Sequence, residues 1–236
     1  MQKRRNMGYK LKHHAMGLAV VLLSFSLTAC DSGSSTSSDT STSNTSNATT
    51  PLEKVAIEYG SSEFVGGVAM GELWMGSPDA PLTIIEYGSL TCGVCANFDK
   101  TTFVKIKEAY IDTGRVKFIF RNQLHGQSDL VAAMISRCAG PQKAWAIMGM
   151  FFEKQRQWVT QDFMDPLASL ARKAGMNRAE FDVCVNNSDL QKSLVELTQM
   201  STEDGVTGTP TLFIGDEKIV GSAPYQEYVN AIEKNL

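Results

Sequence analysis

Cys92 and Cys95 stand two residues apart in Thr91-Cys92-Gly93-Val94-Cys95, a spacing at which two thiols can close into a disulfide ring and reopen. Such a pair works only if one thiol ionises easily, since the thiolate both attacks a disulfide and leaves from one. The flanking residues supply that condition. Pro81-Leu82-Thr83-Ile84-Ile85-Glu86-Tyr87-Gly88 reads as a short, mostly apolar strand closed by Gly88 and Ser89. Residues 96–112 carry helix formers, and Thr113-Gly114 is a stop signal. The cysteines therefore fall where a strand turns into a helix. Free backbone N–H groups and the positive end of the helix dipole there favour a thiolate on Cys92. Cys95, one turn further in, is placed to close the ring. Two other readings of the pair are half of a zinc site and two incidental core thiols. Zinc would need further ligands, and beyond the first 29 residues the chain offers one histidine, His125, and no second CxxC. Neither a metal nor a cofactor is expected.

Residues 1–29 read as a targeting segment. Lys3, Arg4, Arg5, Lys10 and Lys12 make a basic region without an acid, and Ala15 to Leu27 is an apolar run. The run is short for a bilayer span and right for a signal peptide. Arg4-Arg5 invites a twin-arginine reading, but Asn6-Met7-Gly8 lacks the apolar pattern expected after such a pair, which favours general secretion. Leu27-Thr28-Ala29-Cys30 resembles the bacterial lipoprotein cleavage box, which makes Cys30 the expected lipidation site. An ordinary secretory signal is the alternative. Two or three acyl chains on Cys30 would anchor the protein stably, and Asp31 resembles an inner-membrane retention signal.

Residues 30–51 read as a tether. Asp31 to Thr50 is almost entirely Ser, Thr, Asn, Asp and Gly, a composition that cannot bury a core. A flexible coil of about 20 residues would hold the rest roughly 25 Å from the membrane. Without the leader the chain keeps 17 basic residues against 25 acids, a balance of −8. That argues against nucleic acid as a partner. Residues 52–236 are enough for one packed domain with an insertion.

Within that domain, Pro51 to Trp74 contains a Gly-broken apolar segment, Phe64 to Met70, that suits an edge strand or a loop packed on the core. Met75 to Pro81 is turn chemistry. Strand 82–87, helix 93–112 and strand Val116-Lys117-Phe118-Ile119-Phe120 then form a βαβ unit with parallel strands. A helical stretch follows, in which Ser128 is expected to cap a helix reaching Ala139 and Pro141 to open another reaching about Arg156. Further helices are expected over Leu167 to Ala174, Arg178 to Val185 and Asp189 to Glu203. Thr211 to Ile214, a Gly215-Asp216-Glu217 turn and Lys218 to Gly221 read as a hairpin. Ser222 is expected to cap a last helix with Pro224 near its first turn.

This order, with Cys92-Gly93-Val94-Cys95 and Gly205-Val206-Thr207-Gly208-Thr209-Pro210-Thr211, resembles the DsbA-like branch of the thioredoxin superfamily over residues 76–236. The resemblance implies an α/β thioredoxin fold with an all-helical insertion at about 127–204. It implies a cis peptide bond before Pro210, packed against the CxxC. It makes Glu86 a buried acid beneath the site that assists proton transfer at the second cysteine; the alternative is an exposed strand residue. It also suggests a structural disulfide between Cys138 and Cys184, worth about 3–4 kcal/mol, with two free thiols as the alternative. Gly93 and Val94, with Thr209 and Pro210, are the expected substrate-binding residues, the Thr209 backbone pairing with an extended substrate. Val94 stands where the strongest oxidases of the family carry histidine, which predicts a weaker oxidant. His125 reads as a solvated loop residue, and Trp145 to Phe152 as helix core.

The function expected is a thiol–disulfide oxidase donating disulfides to reduced exported proteins. It would act in the periplasm of a bacterial cell envelope, lipid-anchored to the membrane, as a monomer. The partner implied by the resemblance is a DsbB-like membrane quinone reductase. The runner-up is a reductase or isomerase served by a DsbD-like reductant, although residues 52–75 are too short for the separate dimerisation domain of dimeric isomerases. A non-catalytic lipoprotein binding metal or a partner is the third reading.

Overall fold

The computed structural model describes residues 54–236. The expected leader at 1–29, the tether at 30–51 and Cys30 lie outside the described residues. Six strands form one sheet: β1 (Glu58–Val65), β2 (Val68–Gly76), β3 (Leu82–Gly88), β4 (Val116–Asn122), β5 (Thr211–Ile214) and β6 (Glu217–Val220). Their spatial order is β1-β2-β4-β3-β5-β6. β3 and β4 run parallel, joined by the crossover helix α1 over 93–111, and every other pair is antiparallel.

The first hairpin differs from the sequence expectation. Phe64 to Met70 is two strands with a tight turn between them, and Met75-Gly76 closes β2 instead of opening a turn. The apolar run breaks at Gly66-Gly67 because both residues have positive φ, 57° and 88°. Two left-handed residues in a row are what a two-residue hairpin turn needs, and glycine adopts them without a Cβ penalty. β2 then pairs with β4 through Leu73 opposite Phe120, so residues 58–76 extend the sheet on the β4 side.

Period-two burial decides which side chains reach the interior. In β4, Val116, Phe118, Phe120 and Asn122 are buried while Lys117, Ile119 and Arg121 are half-buried. Ile84, Val116, Phe118, Leu212 and Ile214 cluster with Phe98, Ile106 and Tyr110 of α1 and with Tyr228 and Ile232 of α8 (Tyr225–Asn235). A second cluster belongs to the helices between β4 and β5: α2 (Gln127–Cys138), α3 (Pro141–Glu153), α4 (Gln155–Trp158), α5 (Met164–Lys173), α6 (Arg178–Val185) and α7 (Ser188–Glu203). Trp145 of α3 packs against both clusters.

Two expected caps are displaced. α2 begins after Gly126, whose φ of 135° supplies the cap position, and Ser128 sits inside the helix. α8 is preceded by Pro224, so Ser222 caps nothing. In the last hairpin Glu217 pairs with Ile214, leaving Gly215-Asp216 as the turn. Cys138, the last residue of α2, is bonded to Cys184 of α6, with Cα atoms 6.0 Å apart and a sequence separation of 46. Met148, Phe151 and Phe152 of α3 are buried. Among the described residues no helix is long and apolar enough to cross a membrane.

Candidate functional site

β3 ends at Gly88, a three-residue loop follows, and Cys92 is the N-cap of α1 with extended backbone, φ −77° and ψ 119°. Gly88 is required by close approach, since a Cβ there would meet the Phe120 ring at 2.6 Å and Glu86 Oε1 at 3.1 Å. At the N-cap, Cys92 Sγ accepts the Cys95 backbone N–H at 3.4 Å, as a capping oxygen would. The Cys92 thiol also lies 3.4 Å from the carbonyl oxygen of Thr209, to which it can donate. The Thr209-Pro210 bond is cis and Pro210 is buried. The loop before β5 is thus brought against the first cysteine across a separation of 117 residues.

The two thiols are free and unequal. Cys92 is half-buried, whereas Cys95 is fully buried. A hydrogen bond with the Cys95 side chain is the largest influence on Cys92 and holds its thiol at about 5, against an ordinary 9.0. Burial opposes that shift, and the Thr209 side chain and the backbone N–H groups of Cys95 and Val94 reinforce it. The same hydrogen bond drives Cys95 strongly upward, followed by burial and the charge of Glu86. One sulfur is therefore a stable thiolate at neutral pH and its neighbour holds the proton. Gly93 and Val94 are exposed beside them, Val94 at 42%.

Glu86 lies on the inward phase of β3 with Leu82 and Ile84 and is 5% exposed. Burial, then the charges of Asp99 and Cys92, raise its carboxyl well above the usual carboxylate range. It lines a cavity of about 340 Å³ with Asp99, Phe103, Trp145 and Phe152. Asp99 is itself raised to about 6 by burial. Trp145 Nε1 is buried without a hydrogen-bond partner. Two carboxyls and a free N–H therefore face a mostly apolar space large enough to hold water. His125 is exposed. Among the described residues, no group of three or more His, Cys, Asp or Glu side chains is arranged to hold a metal ion.

A sequence model described as thioredoxin matches residues 69–234. The chain belongs to the thioredoxin family. Within it, the chain is 31% identical over 176 residues to disulfide bond formation protein D of Bacillus subtilis, covering 70% of this chain and 78% of that one. Among solved structures it is similar to Wolbachia pipientis alpha-DsbA1, with a TM-score of 0.64, 29% identity, and coverage of 68% of this chain and 88% of that one. It is also similar to oxidised BdbD from Bacillus subtilis, with a TM-score of 0.61, 27% identity, and coverage of 71% and 97%. These similarities put the chain in the DsbA-like branch, whose members are thiol–disulfide oxidoreductases.

Three residues of the site were not legible in the family resemblance. Asp99 had a signal: it follows Cys95 by four residues, which puts both on one face of α1. Asp129 and Gln155 had none. Asp129, fully buried in the first turn of α2, accepts from Leu90 N at 2.9 Å, Ser89 Oγ at 2.5 Å and His125 N at 3.0 Å. Gln155 Nε2 of α4 donates to the carbonyl oxygens of Leu90 at 2.7 Å and Cys92 at 3.0 Å.

Proposed function

We propose that this DsbA-like oxidoreductase donates its Cys92–Cys95 disulfide to reduced exported proteins at a bacterial envelope membrane. The observation that carries the reading is the half-buried N-cap sulfur of Cys92, held at about 5 beside a proton-retaining Cys95. In the oxidised protein a substrate thiolate attacks Cys92 Sγ, the Cys92–Cys95 bond breaks, and Cys95 leaves with the electron pair. Cys95 takes a proton as it leaves, and Glu86, which holds one readily, is its donor. A second substrate thiolate then attacks the substrate sulfur of the mixed disulfide. Cys92 departs as a stabilised thiolate. Two electrons pass from substrate to protein, leaving the substrate a disulfide and the site a dithiol.

Backbone groups at Thr209 pair with the extended substrate, and Gly93, Val94 and Pro210 form the surface it meets. Reoxidation passes the two electrons to a DsbB-like quinone reductase. A Cys92 value of about 5 falls between thioredoxin, near 7, and DsbA, near 3.5. A stabler thiolate makes the disulfide easier to reduce, so the potential is expected above roughly −270 mV and below the strongest oxidases. The test is equilibration with glutathione beside oxidation of a reduced test protein and reduction of insulin. Fast insulin reduction with a potential at or below thioredoxin's would reverse the direction.

Cys30 supplies the membrane anchor in this reading. A diacylglycerol mass on the peptide beginning at Cys30, and loss of Cys30→Ala from the membrane fraction, are the expected results. Unchanged membrane partition of that variant would remove the anchor.

A further inference from the structure

We propose that Asp129 and Gln155, contributed by the helical insertion, are positioning residues that hold the loop 89–92 so that Cys92 keeps its cap geometry and its thiolate. The inference rests on the redox reading of Cys92 above. Neither side chain is bonded to the Cys92 sulfur; both act through the backbone.

Leu90 is fully buried, and a buried backbone N–H and C=O must each find a partner. In this loop neither is satisfied by a strand or a helix. The Leu90 N–H goes to Asp129 Oδ1 and its carbonyl receives Gln155 Nε2, so two helices of the insertion grip one residue through its two backbone polar groups. Gln155 reaches the Cys92 carbonyl as well, which also accepts the Ala96 N–H at 3.1 Å. Ser89 ties the front of the loop, accepting from Thr91 N at 3.2 Å while donating to Asp129 Oδ2. The extended conformation of Cys92 is therefore fixed on both sides, and that conformation is what aims its sulfur at the Cys95 N–H.

An aspartate is the residue this position calls for. Oδ2 faces Ser89 Oγ and His125 N, with Thr91 Oγ1 further off at 3.5 Å, and Oδ1 faces Leu90 N. A carboxylate accepts at both oxygens, whereas an asparagine must turn an NH₂ group toward a backbone N–H whichever way it is flipped. The sign of the effect is diagnostic. If the charge of Asp129 alone mattered, removing it would favour the Cys92 thiolate and lower its midpoint. If the clamp matters, losing it raises the midpoint.

The experiment follows alkylation of the Cys92 peptide by mass spectrometry against pH, in the reduced full-length protein, with urea unfolding and the glutathione equilibrium of each variant. Gln155→Ala, at a half-buried position, and Asp129→Asn are compared with Arg137→Met. Arg137 is buried in the same helix as Asp129 but contacts β2 and β4, not the loop. The titratable groups around Cys92 and in the cavity that Glu86 lines, Cys95, Glu86, Asp99 and Lys107, are left intact. The midpoint is expected to rise by about one pH unit in the two clamp variants, with about a tenfold loss of oxidising tendency. Arg137→Met should lose stability with the midpoint unmoved. An unmoved midpoint in folded Gln155→Ala, a lower midpoint in Asp129→Asn, or an equal shift in Arg137→Met would overturn the clamp. A wild-type midpoint near that of a free thiol would instead remove the redox reading, and the clamp with it.

Discussion

At the scale of single residues, the site is a contest over where protons reside. Cys92 gives up its proton far more easily than an ordinary thiol, while Glu86 holds its own more tightly than an ordinary carboxyl. A carboxyl whose folded pKa lies above its unfolded value, near 4.5, costs stability once the pH passes that unfolded value. The cost grows until the folded value is reached. Glu86→Gln is therefore expected to stabilise the protein at pH 7–8 and to flatten the fall in stability above pH 4.5. Urea unfolding across that range measures it. Turnover should fall at least about tenfold, because the amide has no proton to give Cys95. Equal stability at neutral pH would place Glu86 in better solvation than its burial implies. The two cysteines were legible because spacing and a strand-to-helix setting are both written in the local sequence. Asp129 was not: in sequence it is one more acid in the first turn of a helix, and its donors come from residues 89, 90, 91 and 125.

At the scale of elements, α2 is the member that joins the most. Its first turn holds the loop before Cys92, and its last residue is bonded to Cys184. One residue before that, the buried Arg137 donates to the carbonyl oxygens of Ala69 and Gly71 in β2 and to Asn122 Oδ1 in β4. Burial pushes its guanidinium down, and these acceptors let the charge persist. Opening the Cys138–Cys184 link frees a loop of 46 residues in the unfolded chain, a loss of about 4 kcal/mol in the chain-entropy account. The Cys138→Ala, Cys184→Ala pair should thus melt roughly 10 °C lower, by calorimetry, while still exchanging disulfides at Cys92. Loss of exchange with the fold intact would give the link a role beyond stability. The helices of the insertion were readable from their stop and start residues, Arg178 to Val185 to the residue. β1 and β2 were not, because β1 is a largely exposed edge with little alternation and its partner is marked only by Gly66-Gly67.

At the scale of the whole molecule, the strand order β1-β2-β4-β3-β5-β6 puts β3 at the centre, between a neighbour about thirty residues away and one more than a hundred away. The βαβ half of this pattern was legible, since a crossover helix forces parallel neighbours. The addition of the first hairpin beyond β4 was not, because nothing local states which edge a hairpin will join. The distance from β3 to β5 has a consequence for the chain while it is being made. Ribosomes deliver β3 and β4 early, and until residues 211–214 follow, Leu82 to Gly88 remains an open, apolar edge with unpaired backbone groups. Such an edge templates association between incomplete chains. The last thirty residues therefore act as the cover that closes this edge. Ending the chain at residue 204 is expected to give a protein that scatters light within minutes of refolding at about micromolar concentration, where the chain through residue 236 stays clear. A truncated chain that stays clear would mean that an earlier segment guards the edge.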